Sequence, residues 1–227
     1  MHHEPLNQTK KTFLEYLGIG LLHIAIFAFF YGLTNNRAAT LSMDELYIGY
    51  HPLELEIPFY PNWFIVYFSA NIMLWVPYFF LPPYRFRRYF VAQILATVTA
   101  AFFFYLFPFH CGYIREIPTE GPWKEALTFF YELDERHNLN PSLHIGFSTL
   151  ILLFSRERAR GISYIVLHVW TLAIYFSVVL THQHHILDIA TGILLSCTMY
   201  KLANTLCDNW GPYFAAPQLK ASPETPR

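Results

Sequence analysis

The stretch LTHQHHILDIATGILLSCTMYKL (Leu180–Leu202) sets three histidines and an aspartate at the mouth of an apolar run. After Asp188 no charged side chain follows until Lys201. Such a run reads as a membrane-crossing helix, which needs about 20 mainly apolar residues. The arrangement recurs upstream, where NLNPSLHIGFS (Asn138–Ser148) puts His144 just inside a second apolar run. Imidazoles at the mouths of two such segments decide the fold class and pose the question of chemistry.

The whole chain fits that reading. Of 227 residues, 54% are hydrophobic, 19% aromatic and 14% charged, against about 25% charged in a soluble domain. Fifteen basic and sixteen acidic residues leave no basic excess for nucleic acid. Tyr16–Leu33, Phe64–Leu81 and Tyr89–Phe107 are long and uncharged. Ile162–Leu180 and Ile186 towards Leu202 are two more apolar segments. Ser142–Ser155 is shorter and as a helix would reach only ~21 Å. Continuation through Arg156–Arg160 adds over a turn, with arginines that snorkel to the interface. The expectation is an all-α integral membrane protein built as a six-transmembrane-helix bundle. Residues 1–12 form its N-terminal segment, 13–204 the membrane domain and 205–227 a Pro-rich, disordered tail.

Loop charge orients the bundle. Lys10 and Lys11 precede the first span, Arg85, Arg87 and Arg88 join the second to the third, and Arg156, Arg158 and Arg160 join the fourth to the fifth. The alternate loops are acidic: Asp44, Glu45, Glu54 and Glu56, then Glu116 to Glu135. The positive-inside rule puts both termini in the cytoplasm. No cleavage pattern follows the first span, so it is expected to be retained. Cys111 falls outside, Cys197 in the bilayer and Cys207 inside, which argues against an internal disulfide. Asn71 and Pro77 in the second span fit either a broken helix lining a pathway or ordinary bundle packing.

With that orientation Arg115, His144 and the group His184, His185 and Asp188 share the outer face. Asn140 is a favoured N-cap and Pro141 suits the first helical position. The N–H groups of Ser142, Leu143 and His144 would then lack intrahelical acceptors and form a phosphate site at the positive end of the helix. His144 could donate a proton to a leaving oxygen. His184 and Asp188 are four apart and share a helical face. A carboxylate on one imidazole nitrogen leaves the other with a free lone pair, suited to a nucleophile or base. His185 and Asp188 are three apart, so spacing leaves both histidines open. Arg115 can hold two phosphate oxygens at once.

These motifs resemble those of the type-2 phosphatidic acid phosphatase superfamily. PSLH (Pro141–His144) is similar to its second motif, HHILD (His184–Asp188) to the end of its third, and PFHCGYIRE to its first, with Arg115 at the arginine position. The resemblance covers roughly 57–201. Leu143 and the surroundings THQHHILDIATG look most like the branch holding inositol-phosphorylceramide and sphingomyelin synthases and related bacterial lipid phosphatases. The resemblance implies His184 as nucleophile through a phosphohistidine, Asp188 orienting it, His144 as acid then base, and Arg115 neutralising phosphoryl oxygens. It implies no metal and no cofactor, and a phospholipid or isoprenoid phosphate drawn from the bilayer. It also implies a multi-pass inner-membrane protein of a bacterium, with its site on the periplasmic face.

The chain departs from the pattern at two cations. Pro108 stands where the phosphatases have lysine, and Val178 where they have arginine, although Ser177 matches; Glu116 replaces a proline. Losing two cations penalises a dianionic monoester more than a singly charged diester. Arg136, His137, His185, His182 and Lys124 are the candidates to compensate. The leading expectation is a lipid phosphatase, and headgroup transfer to an alcohol is the alternative. A metal-dependent oxidase would need HQHH to join His51, His110, His137 or His144 around a metal. A non-enzymatic lipid-binding protein is the remaining class.

Overall fold

The computed structural model describes residues 4–133 and 137–215, with side chains from Thr12 onward except that of Leu133. Asp134, Glu135, Arg136, the tail from 216 and the side chains of Lys10 and Lys11 lie outside the described residues. The chain is an all-α membrane protein. Its helices are α1 (Glu4–Ala38), α2 (Phe64–Met73), α3 (Val76–Phe80), α4 (Pro83–Leu106), α5 (Pro122–Leu133), α6 (Leu143–Ser155), α7 (Ile162–Leu180) and α8 (Ile186–Asn209). The described strands are β1 (Tyr47–Ile48) and β2 (Phe109–His110), a two-residue parallel pair joining the loops after α1 and α4.

Among the described residues four helices are long and apolar enough to cross a bilayer: Thr12–Ala38 of α1, then α4, α7 and α8. The other two expected spans differ. Phe64–Leu81 is not one helix but α2 and α3, interrupted at Leu74–Trp75. Pro77 has no N–H and its ring clashes with the carbonyl four residues earlier. The backbone answers with tighter bonds: the N–H of Trp75 donates to Ile72 O at 3.0 Å and that of Tyr78 to Trp75 O at 3.1 Å. α6 is a short apolar helix of thirteen residues. Most of its side chains are buried, against α3, α4, α7 and α8, so protein rather than lipid surrounds most of its length.

α6 and α8 meet at a close crossing. A Cβ on Gly192 would lie 2.8 Å from Ser142 O and 2.9 Å from Ile145 Cβ, so only glycine fits. The Ser196 hydroxyl sits 2.7 Å from both Gly146 O and Gly192 O and bridges the two helices. Here the small-residue pattern lets backbones approach, as membrane helix pairs require.

At the opposite end, α4 grips the C-terminal region. Arg87 holds Glu15 of α1 and donates to Tyr213 O at 2.7 Å, while Arg88 donates to Phe214 O at 2.9 Å and pairs with Asp208 at 2.7 Å. The described part of the tail expected to be disordered is therefore ordered. α8 runs past residue 205 to Asn209, and Pro212–Phe214 form a 3-10 turn under these arginines. The described cysteines are free.

The crossing gives a direct test. Gly192→Ala should lower the unfolding temperature, at a cost of about 1–3 kcal/mol, because its neighbours are backbone and a packed Ile. Gly32→Ala, with open space around it, should leave it nearly unchanged. Equal unfolding temperatures for the two variants in detergent would contradict the packing described.

Candidate functional site

The loop Thr181–His185 turns back over the end of α7. The N–H groups of Gln183 and His184 both donate to Val178 O at 2.9 Å. His182 takes the reversal with φ 55°, a left-handed conformation uncommon outside glycine. Its ring is then spoken for. Nε2 lies 2.9 Å from Ile57 O, and the plane stacks on Tyr113 at 4.0 Å. Stacking continues from Tyr113 to His185 at 4.5 Å and from His185 to Tyr50 at 4.4 Å. Four aromatic rings thus pin the loops before α2 and after α4 onto the start of α8.

This stack separates the two histidines that spacing left open. His185 is 2% exposed; its Nε2 accepts the Gly112 N–H at 3.2 Å and its Nδ1 lies 3.3 Å from Glu54 Oε2. Neither nitrogen is available to a ligand. His184 has Nδ1 at 3.2 Å from Asp188 Oδ2, and its other nitrogen makes no hydrogen bond among the described residues. The same Asp188 oxygen accepts the His185 N–H at 2.9 Å. Glu54 Oε2 accepts the Ile186 N–H at 2.9 Å. Both carboxylates therefore cap the positive end of α8.

The start of α6 is built differently from the sequence expectation. The N-cap is Ser142, not Asn140, and Pro141 lies outside the helix. Ser142 Oγ accepts the Ile145 N–H at 3.4 Å, and the Ser142 N–H donates to Asp188 O at 3.2 Å. That donor is used within the fold, because α8 lies against the mouth of α6. The N–H groups of Leu143 and His144 have no acceptor among the described residues. The His144 ring lies beside Tyr67, tilted by 35° with ring centroids 4.5 Å apart, and is 5.9 Å from the ring of His184.

His144 and His184 face a cavity of about 500 Å³. Leu143, Tyr67, Asn138 and Gln183 line its upper part, and α1, α2 and α3 carry it down through Asn71, Leu17, Trp75 and Tyr78. The helix break before Pro77 thus borders the cavity, with Leu74, Trp75 and Tyr78 in its wall. Tyr67, Asn138 and Gln183 escaped the sequence reading because nothing in their spacing marks them. Polar groups in apolar segments could have pointed to His23 and Gln93, which also line the wall.

Several expected residues stand elsewhere. Arg115 does not line the cavity: its Nη1 donates to Tyr131 O at 2.6 Å and its guanidinium stacks 4.5 Å over the Tyr131 ring. It is held there because α5 occupies what read as an acidic loop. Trp123, Leu127, Phe130 and Tyr131, at helical spacing, pack that helix on Phe64 and Tyr67. Lys124 is exposed on α5, and His137 is half-buried off the cavity wall. Arg136 lies outside the described residues. The HQHH histidines diverge, with the Tyr113 ring between His182 and His185. Among the described residues no group of three His, Cys, Asp or Glu side chains is arranged to hold a metal.

The stack carries a pH signature. Burial holds the His185 imidazole below its ordinary value, against the opposing pull of Asp188 and Glu54. Burial pushes Tyr113 up, so it stays neutral. Burial would also raise Glu54, but the N–H groups of His51 and Ile186 outweigh it and keep it ionised. A folded value below the unfolded one means the unfolded chain binds more protons in the window between them. Stability from His185 is therefore complete above about pH 6.5 and declines as pH falls below it. Amide exchange in residues 47–57 and 109–116 should be slow at pH 7.5 and, after correction for intrinsic rates, faster at pH 5.5. His185→Leu should remove that dependence; a profile unchanged by the substitution would assign the opening to another group.

Comparison with protein-family models, with curated proteins and with solved structures finds no match to this chain.

Proposed function

We propose that this protein is a membrane lipid phosphatase acting through a phosphohistidine on His184, at the outer leaflet. The observation that carries the reading is the oriented pair His184–Asp188 facing His144 across one cavity. Asp188 would keep the proton on Nδ1 of His184 and leave the Nε2 lone pair to attack phosphorus. The bond from phosphorus to the lipid oxygen breaks as His144 gives that oxygen a proton. His144 then takes a proton from water, which attacks phosphorus and releases His184. The free N–H groups of Leu143 and His144 at the positive end of α6 would hold phosphoryl oxygens.

The site's charge favours a weakly charged substrate. Arg115 is engaged on a backbone carbonyl, and the two family cations are Pro108 and Val178. A phosphodiester, carrying one negative charge, needs less compensation in a poorly solvated cavity than a nearly dianionic monoester. That same observation supports the second reading, headgroup transfer from a phospholipid, in which an alcohol replaces water as acceptor.

The membrane arrangement in this proposal has six crossings with both termini cytoplasmic. α2 and α3 would together make one interrupted crossing, since Ile65, Ile72 and Phe79 are 63% to 83% exposed and suit lipid. α6 would make another, short because it is enclosed by protein.

Two substitutions test the chemistry. His184→Ala should abolish turnover and the acid-labile phosphoenzyme trapped by quenching with labelled lipid, whereas His185→Ala, altering only the stack, should retain measurable activity. Equal loss in both would remove the assignment of the nucleophile. His144→Ala should slow substrates with poor leaving groups by about 10²–10⁴-fold and pyrophosphates much less. The same ratio for both would show that His144 is not the acid.

A further inference from the structure

Below the two histidines the cavity is not uniformly apolar. Tyr67 stands beside His144, and Asn71 follows it by one turn on α2. His23 of α1 packs edge-on to Phe147, nearly one turn below His144 on α6, with ring centroids 5.3 Å apart. One nitrogen of His23 lies 3.4 Å from Thr97 Oγ1 of α4. Gln93 lies one turn from Thr97 along α4 and faces the same cavity. Three helices therefore bring an imidazole and two amides to one band of the wall. At 1.5 Å per residue, this band begins ~6 Å below the reacting groups.

Gln93 is the decisive member. Its residue is 5% exposed, and its amide makes no hydrogen bond among the described residues. Its neighbours in the helices do better: Thr97 has His23, Thr149 has Ile145 O, and Thr34 has Phe30 O. The amide opens onto the cavity, so its donor and acceptor atoms are left to whatever fills that space. Deeper still, Leu17, Leu74, Trp75 and Tyr78 make the wall apolar again. The order along the cavity is phosphate-suited, then hydrogen-bonding, then hydrocarbon.

We infer that this band reads the linkage region of a lipid: the ester or amide carbonyl, or the hydroxyl, that lies between a phosphorylated headgroup and its chains. Gln93 donates to and accepts from that group, and His23, tied to Thr97 by one nitrogen, offers the other. The inference rests on the proposed function in setting the phosphate beside His184. It narrows the substrate class to glycerolipids or sphingolipids, because a polyprenyl phosphate presents only hydrocarbon at this depth and leaves Gln93 unpaired.

The test is binding, so it does not depend on turnover. Full-length protein carrying His184→Ala is put into nanodiscs. Retention is measured by native mass spectrometry for a diester phosphatidic acid, its diether analogue, ceramide 1-phosphate and a polyprenyl monophosphate. The diester and the ceramide lipid should each bind about five- to tenfold tighter than the diether and the polyprenyl phosphate, the worth of one hydrogen bond. A stronger hold on the diester than on the ceramide lipid identifies an ester as the group read, and the converse an amide or hydroxyl. Gln93→Leu should erase the preference; His23→Leu, on another helix, should reduce it and serves if the first variant does not fold. Equal binding of all four lipids, or a preference that survives both substitutions, overturns the inference. If the preference is present and lost in the variants while the His184-containing protein forms no phosphoenzyme, the linkage band stands and the catalytic reading falls. If a phosphoenzyme forms without any preference, the reverse holds.

Discussion

Asp188 ties the site together through three bonds. Its carboxylate holds the imidazole of His184 and the N–H of His185, and its carbonyl accepts the N–H of Ser142. One residue at the start of α8 thus fixes both a candidate nucleophile and the mouth of the neighbouring helix. An ionisable side chain is expensive this near a membrane segment, and here its cost is offset by two N–H donors and the positive end of α8. Gly192 makes the arrangement reachable, since any side chain there would push α6 away from α8.

Around this centre the polar groups are divided between holding the fold and facing the cavity. His182, His185, Tyr113, Tyr50 and Glu54 hold together, by stacking and hydrogen bonds, loops that are far apart in the chain. His144 and His184 keep ring atoms towards the cavity. Arg115 belongs with the first group. Its guanidinium secures α5 through Tyr131, whose neighbours Phe64 and Tyr67 lead to His144. Changes at Arg115 therefore reach the site through packing.

The cavity owes its shape to two irregularities. Pro77 interrupts the second apolar segment, and Leu74 and Trp75 at the break line the space. α1 packs chiefly on α4, which leaves its other face towards α2 and α3 as the opposite wall. A space bounded by α1, α2, α3, α4 and α6 and headed by two imidazoles suits a single amphiphile lying along the bundle.

Much of this was legible in the chain before any coordinates. Long uncharged runs are themselves the physical requirement for crossing a bilayer, so α1, α4, α7 and α8 could be read directly. The pairing of His184 with Asp188 was equally readable, since four residues is one helical turn. Spacing could not decide between His184 and His185, because the difference lies in Tyr50, Glu54, Gly112 and Tyr113, all more than seventy residues away in sequence. Nor could it find α5 under its acidic surface, or the engagement of Arg115 on Tyr131. Local periodicity is written in consecutive residues, whereas which polar atoms remain free is set by what the rest of the chain brings against them; that was decided only in three dimensions.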